Sequence, residues 1–264
     1  MKEEGIFRTA SFNANSVRNR LQIILDWIKE NECDVLCVQE TKVQDHEFPL
    51  EAIMDAGLNV IFKGQKSFNG VAVISPHEIN LFADKFGEDG FDDDARLLAV
   101  NINGINIINS YVPQGSDTKS PKFAYKLEWY AKLRKLLESN FYPDDNILWF
   151  GDMNTAREPI DVYDPESMYG CVCYHPAEHE AINKVLEWGL KDTFRKYHAD
   201  EKHCYTFWDF RVPNAYKRKL GWRLDYIFAS EPMYEKCKDA WIDIKPRLLE
   251  KPSDHTFIVA DFAI

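Results

Sequence analysis

Several familiar signals are missing from this 264-residue chain, and each absence removes a class of function. No apolar run approaches the roughly 20 residues needed to cross a bilayer, so membrane-spanning roles are not expected. There is no Gly-rich phosphate loop, no GxSxG serine and no HExxH pair, which argues against P-loop NTPases, serine hydrolases of the elbow type and zincins. Low-complexity tracts, internal repeats and Pro/Gly/Ser linkers are also lacking, so one domain over residues 1–264 is the simplest expectation. The opening residues MKEEGIFRTASF lack the apolar core of a signal peptide, which predicts a cytoplasmic location. Positive charge is scarce: 32 Lys and Arg stand against 43 Asp and Glu, a net charge of −11. That excludes a protein that coats nucleic acid non-specifically. It does not exclude a nucleic-acid enzyme, because a metal ion in an acidic pocket with a basic rim reverses the local sign. Candidate rims are Arg18 with Arg20, Lys119 with Lys122 and Lys126, and Lys217-Arg218-Lys219 with Arg223.

What is present is an ordinary globular composition, 45% hydrophobic and 28% charged, with 7 Trp, 12 Tyr and 17 Phe to build a core. The six cysteines read as reduced thiols in such a chain. Cys33 and Cys37 sit in an apolar run and look like small core residues. Cys171 and Cys173, with His175, His179, His203 and Cys204 beyond, match no standard zinc spacing, and a structural zinc site is not expected.

Strand-like runs alternate with helical patterns from end to end. Leu21, Ile24, Leu25 and Ile28 recur at helical spacing and predict an amphipathic helix ending before Glu32. Buried strands are predicted at 34–39, 71–74, 96–102 and 105–111, the last two joined by the hairpin signal Asn103-Gly104. Ser120-Pro121 predicts a helix start, with Phe123, Leu127, Tyr130 and Leu137 as its apolar stripe. Pro176 opens another helix, with Gly189 as its expected C-cap. Further strands are predicted at 147–150, 223–229 and 256–262.

The stretch LWFGDMNTA concentrates the question of function. Ile147 to Phe150 read as a strand buried on both faces, and it runs directly into Asp152 and Asn154. A buried carboxylate without partners costs several kcal/mol, roughly, so this one needs a purpose. The same pattern recurs at other strand edges: Asn13 and Asn15, Gln39-Glu40, Asn109 to Tyr111, Asp225, and Asp254-His255. If residues i and i+2 of an extended chain point one way, Asn13 with Asn15 and Asp152 with Asn154 each aim two side chains into one place. Together the edges supply carboxylate and amide oxygens suited to a hard cation such as Mg²⁺, and one His beside Asp suited to proton handling. That inventory fits metal-assisted phosphoester hydrolysis. Each motif alone also has an ordinary structural reading, such as a turn at Asn13 or a surface partnership of Asp225 with Arg223. Their recurrence is what points to a site.

The motifs SFNANSVRNR, CVQETKV, NSYVPQG, WFGDMNTAREPIDV, YTFWDF, GWRLDYIFAS and PSDHTFIVADF resemble, in order and spacing, those of the exonuclease III / AP endonuclease family of DNA repair. The resemblance runs from about Ser11 to Phe262. It implies a four-layer α/β (α+β) sandwich, two mainly antiparallel β-sheets flanked by helices, with the site at one end. It implies metal ligation by Glu40, with Asn13, Asn15 and Asp254 close by. It implies that Asp152 activates the attacking water and Asn154 steadies it. Tyr111 and His255 are implied to contact the phosphoryl oxygens, with Asp225 orienting the His. Phe207, Trp222 and Leu224 match the apolar pocket for an extruded abasic deoxyribose, although Phe207 and Trp222 also suit a core. Arg211 stands where some relatives insert a wedge into the duplex. The implied cofactor is Mg²⁺, with Mn²⁺ as a substitute. The implied substrate is double-stranded DNA with abasic sites or 3′ ends, handled by a monomer. Abasic incision to leave a 3′-OH, 3′-phosphodiesterase, 3′-phosphatase and 3′→5′ exonuclease activity are the activities to expect. A DNase I-like phosphatase acting on a non-DNA phosphoester, or a non-enzymatic scaffold, are the competing readings. GWRLDYI argues against the first and an unbroken set of polar residues against the second.

Overall fold

A computed structural model describes residues 2–87, 91 and 94–264. In chain order the strands are β1 (Ile6–Asn13), β2 (Val35–Gln39), β3 (Asn59–Lys63), β4 (Val71–Ser75), β5 (Asn80–Ala83), β6 (Leu97–Ile102), β7 (Ile105–Tyr111), β8 (Ile147–Asp152), β9 (Leu190–Asp192), β10 (Asp225–Ser230), β11 (Cys237–Asp243) and β12 (Phe257–Ala263). The helices are α1 (Val17–Asn31), α2 (Leu50–Asp55), α3 (Pro121–Asn140), α4 (Pro165–Met168), α5 (Pro176–Leu186), α6 (Thr193–Tyr197) and α7 (Glu231–Lys236). Among the described residues no helix is long and apolar enough to cross a membrane.

Two six-stranded sheets form, in the orders β11-β12-β1-β2-β4-β3 and β5-β6-β7-β8-β10-β9. Each contains one parallel pair, β1 with β2 and β7 with β8; every other pairing is antiparallel. The alternation of side chains along a strand explains the layers. Leu148 and Phe150 turn inward and join Val35, Cys37, Val71, Val73, Ile107, Ile227 and Ile258 in a core between the sheets. Ile147 and Trp149 turn outward under α3 and α5, against Trp129, Leu133, Ile182 and Val185. On the other sheet Leu36 and Val38 meet Ile24, Trp27 and Ile28 of α1. The 147–150 run is continuously apolar because both faces of β8 are covered. The result is the four-layer sandwich that the resemblance implied.

Local signals behave as their chemistry dictates, with exceptions. Ser120 caps α3 by accepting a hydrogen bond from the Lys122 N–H, ahead of proline. α1 ends at Asn31, with Glu32 in the left-handed conformation. α5 ends earlier than expected: its C-cap is Glu187, and Gly189 lies two residues beyond, with φ 129°.

Two of the expected basic rims lose a member. Lys126 is fully buried and paired with Glu178. Arg223 is fully buried and paired with Asp161 and Asp192, not with Asp225. Both side chains are buried, where a cation is tolerated only with an anion beside it.

Candidate active site

The strand polarity brings the polar motifs to one end of the sandwich. β1 and β2 run parallel, so Asn13 and Gln39 finish side by side, with Glu40 next in the chain. β7 and β8 do the same for Tyr111 and Asp152. Antiparallel β10 starts where β8 ends, placing Asp225 opposite Asp152. β12 runs back along β1, so Ser253, Asp254 and His255 arrive at the same edge just before it begins.

Asp152 sits at the centre. It is almost fully buried, and its Oδ1 accepts a hydrogen bond from the Asn154 backbone N–H at 2.8 Å. Its Oδ2 accepts from Asn13 Nδ2 at 2.9 Å and from Asn154 Nδ2 at 3.3 Å. These donors hold the carboxylate in one orientation. Burial, opposed by His255 and reinforced by Asp225, raises its pKa to about 7. His255 Nδ1 lies 2.7 Å from Asp225 Oδ2, and its Nε2 lies 3.8 Å from Asp152 Oδ2. Burial disfavours the imidazolium, but the carboxylates of Asp225 and Asp152 outweigh it and raise the pKa of His255 to about 10. A doubly protonated imidazole is a hydrogen-bond donor at both nitrogens.

Asp152 and Asn154 do meet at one cavity, but by a backbone geometry other than the extended alternation expected. Asn15 and Asn154 both adopt left-handed φ values, 44° and 46°. Each strand ends in an Asx turn: Asn13 Oδ1 accepts the Asn15 N–H at 2.9 Å, just as Asp152 Oδ1 accepts that of Asn154. Asn154 Nδ2 also donates to the Val112 carbonyl at 2.9 Å. Glu40 too is left-handed, with φ 56°. Three non-glycine residues in this conformation at one edge mark stored backbone strain of the kind concentrated at functional sites.

Glu40, Tyr111, Asp152, Asn154, Asp254 and His255 line one cavity of about 730 Å³. Asn13 and Asn15 stand behind that lining. Asn13 is wholly buried, with its amide engaged by Asp152 and Asn15. Asn15 Nδ2 donates to Asp254 Oδ1 at 2.8 Å. Phe207, Trp222, Leu224 and Arg211 line the same cavity. Phe207 and Trp222 exchange backbone hydrogen bonds, and the Phe207 ring centroid lies 4.8 Å from that of His255. Arg211 is tethered by Asp209 through three side-chain hydrogen bonds to one carboxylate, and its side chain is 89% exposed.

Two clusters bear on metal binding. Asp152, Asp225 and His255 carry ligand atoms within 4.8 Å of one another. His255 Nδ1 is already engaged by Asp225 and its Nε2 lies toward Asp152, so the trio forms a buried charge network. On the other side, Glu40 and Asp254 offer carboxylates and Asn15 an amide oxygen, the donor chemistry of a hard cation. Lys42 Nζ bridges Glu40 Oε1 at 2.8 Å and Asn15 Oδ1 at 2.5 Å, so a cation already sits against these oxygens. The donor set therefore fits a divalent ion at Glu40 and Asp254.

Several residues of the site were not singled out from sequence. Lys42, Gln114 and Tyr163 contribute to it only through folding. Thr206 accepts hydrogen bonds from the N–H groups of both Leu224 and Asp225 and so fixes the start of β10. No local pattern announces a threonine that acts through two distant backbone amides.

Comparison with known proteins agrees with this architecture. Residues 10–255 match the Endonuclease/Exonuclease/phosphatase family. The chain is 31% identical to the exodeoxyribonuclease III of Haemophilus influenzae over 263 residues, covering 96% of this chain and 98% of that one. Its fold superposes on an AP endonuclease from Archaeoglobus fulgidus with a TM-score of 0.93 at 44% identity, covering 98% and 100% of the two chains. It superposes on the 3′ phosphatase NExo from Neisseria, bound to a product DNA hairpin, with a TM-score of 0.90 at 31% identity, covering 97% and 99%. With the match spanning nearly the whole sandwich and every strand edge of the cavity, the chain belongs to the endonuclease/exonuclease/phosphatase family.

Proposed function

We propose that this protein is a metal-dependent DNA repair phosphodiesterase. It cleaves the backbone 5′ to abasic sites to leave a 3′-OH, with 3′-phosphodiesterase, 3′-phosphatase and 3′→5′ exonuclease activity on DNA ends. The observation that carries this reading is a single cavity lined by the polar groups of Glu40, Tyr111, Asp152, Asn154, Asp254 and His255 together with the apolar side chains of Phe207, Trp222 and Leu224. The relatives named for abasic endonuclease, exonuclease and 3′ phosphatase activity support the same conclusion.

In this reading Asp152 orients the attacking water and accepts its proton, and a pKa raised to about 7 suits it to that exchange near neutrality. Its orientation matters because the water must lie in line with the leaving 3′ oxygen. Asn13 and Asn154 hold the carboxylate for that purpose. His255, charged and backed by Asp225, donates to a phosphoryl oxygen from its Nε2, joined by the Tyr111 hydroxyl and the Asn154 amide. Glu40 and Asp254 would hold Mg²⁺, or Mn²⁺ in its place, with Asn15 positioning Asp254. When bound, that cation supplies positive charge to the phosphate and to the departing oxygen. The apolar side chains of the cavity receive the extruded deoxyribose, which flips out readily because an abasic nucleotide has no stacking to lose.

A duplex carrying one abasic analogue, incubated with and without EDTA, tests the proposal. Metal-dependent incision that is lost in Asp152→Asn and retained in Lys251→Ala is the expected result. Absence of incision, with turnover of inositol phosphates instead, sinks it.

A further inference from the structure

Behind Asn154, on the side away from the cavity, lies a buried ion pair that the chemistry above does not use. Lys126 of α3 and Glu178 of α5 are both fully buried. The Lys126 ammonium donates to Glu178 Oε1, to the Asn154 carbonyl at 2.6 Å and to the Gln114 carbonyl at 3.5 Å. An ammonium has three N–H groups, and here three acceptors use them. Glu178 is equally committed. Its Oε1 also accepts the Cys173 N–H at 3.1 Å, and its Oε2 accepts the His175 N–H at 3.0 Å.

The pair thus ties three loops that bound the cavity: 112–116, 153–156 and 171–175. One helical turn along α3, Tyr130 Oη donates to the Met153 carbonyl at 2.8 Å. Residues 126 and 130 share a helix face, so α3 grips two consecutive carbonyls, 153 and 154, on either side of the left-handed turn. Two buried charges are an inefficient way to stabilise a core, and apolar residues of similar size often do as well. A lysine here does what an apolar residue cannot, which is to satisfy two carbonyls converging from different loops.

We infer that Lys126 and Glu178 form a positioning clasp that holds Asn154 in its left-handed conformation and so fixes the orientation of Asp152. This rests on the functional reading above. Lys126 touches no substrate; it acts through the Asn154 backbone.

The test uses the full chain and removes both charges together, in Lys126→Met/Glu178→Gln. Kinetics on the abasic-analogue duplex are read beside hydrogen exchange of the segment 152–156 without DNA. The expected result is a fall in kcat of about 10- to 100-fold, the scale of a small misplacement of reacting groups, with DNA affinity in EDTA unchanged. Exchange at 152–156 rises while β1 and β12 keep their wild-type protection. A wild-type kcat, unchanged exchange at 152–156, or a uniform rise in exchange across the protein overturns the inference. Should the double variant not fold, Tyr130→Phe decides: faster exchange at 152–156 with a lower kcat supports the clasp, and no change in either refutes it. Wild-type protein that fails to incise refutes the functional reading instead, and the exchange measurement still decides the clasp.

Discussion

His255 donates from Nδ1 to Asp225 Oδ2 over 2.7 Å, and the same Asp225 faces Asp152 across the β8–β10 ladder. Three titratable groups therefore share one buried edge, and their charges are set jointly. The consequence is an imidazolium that persists well above its ordinary range, its pKa raised to about 10 by carboxylates that outweigh burial. In the metal-free protein, NMR titration of the seven histidines should show one ring that stays protonated through neutrality. Asp225→Asn removes the strongest of the raising charges, and the same resonance should then titrate at lower pH. A wild-type His255 that titrates near the ordinary value of about 6.5 contradicts this network.

Asp152→Asn keeps the size of the side chain but removes its charge and replaces one acceptor oxygen by a donor. That donor meets either the Asn154 N–H or the Asn13 amide, both of which now require an acceptor. Incision of the abasic-analogue duplex should fall by about 10²- to 10⁴-fold in kcat, the contribution of a positioned general base. Mn²⁺ binding followed by electron paramagnetic resonance should persist, because Glu40 and Asp254 are unchanged. Retention of most of the kcat would assign the base elsewhere.

How much of this was legible in the residues depends on whether the signal was local. β8 could be read because both of its faces are apolar, and α3 because Ser120-Pro121 carries its own capping chemistry. β3, β5, β9 and β11 were not legible: their partly exposed residues carry no clear period, and the sheet partner specifies them. At the site, Glu40, Tyr111, Asp152, Asn154, Asp254 and His255 were marked by polar groups at strand ends and converge on one cavity. Their geometry was not legible, because Asn15 and Asn154 leave the extended conformation and reach the site through Asx turns. Lys126 and Arg223 were misread as rim charges for a related reason. A cation's burial depends on anions far away in sequence, Glu178 for one, Asp161 and Asp192 for the other.

Gly151 separates the buried strand from Asp152, and the structure shows why no larger residue serves. Its φ is 144°, and a Cβ there would stand 1.9 Å from the Ser110 carbonyl oxygen on the neighbouring parallel strand. Gly151→Ala must force β7 and β8 apart. Overpacking and backbone strain cost about 1–3 kcal/mol each. Urea unfolding should report a loss of that order. Incision should drop beyond what the stability loss explains, since Asp152 is the next residue and its direction is what the chemistry needs. An alanine variant with wild-type stability and rate would show that the strands separate freely.

Asp161 belongs to the same stretch, WFGDMNTAREPIDV, as Asp152 but does different work. Its carboxylate is fully buried and receives Arg223 Nε at 2.8 Å, Arg223 Nη2 at 3.1 Å and Arg195 Nη2 at 2.5 Å. Burial alone would raise its pKa, but the two guanidinium groups overcome that and hold it below the usual carboxylate range. A depressed folded-state pKa means that stability from this group is complete above the unfolded value, about 3.9, and is lost as pH falls through the lower folded value. Asp161→Asn should therefore destabilise the protein at pH 7 by up to about 3–5 kcal/mol, because buried Arg223 keeps only Asp192 as an anionic partner. The gap between variant and wild type should stay constant from neutrality down to about pH 5 and close only in more acidic solution. Denaturant melts at a series of pH values measure it, and a gap that instead closed on raising the pH would mean that Asp161 is not the charged partner of Arg223.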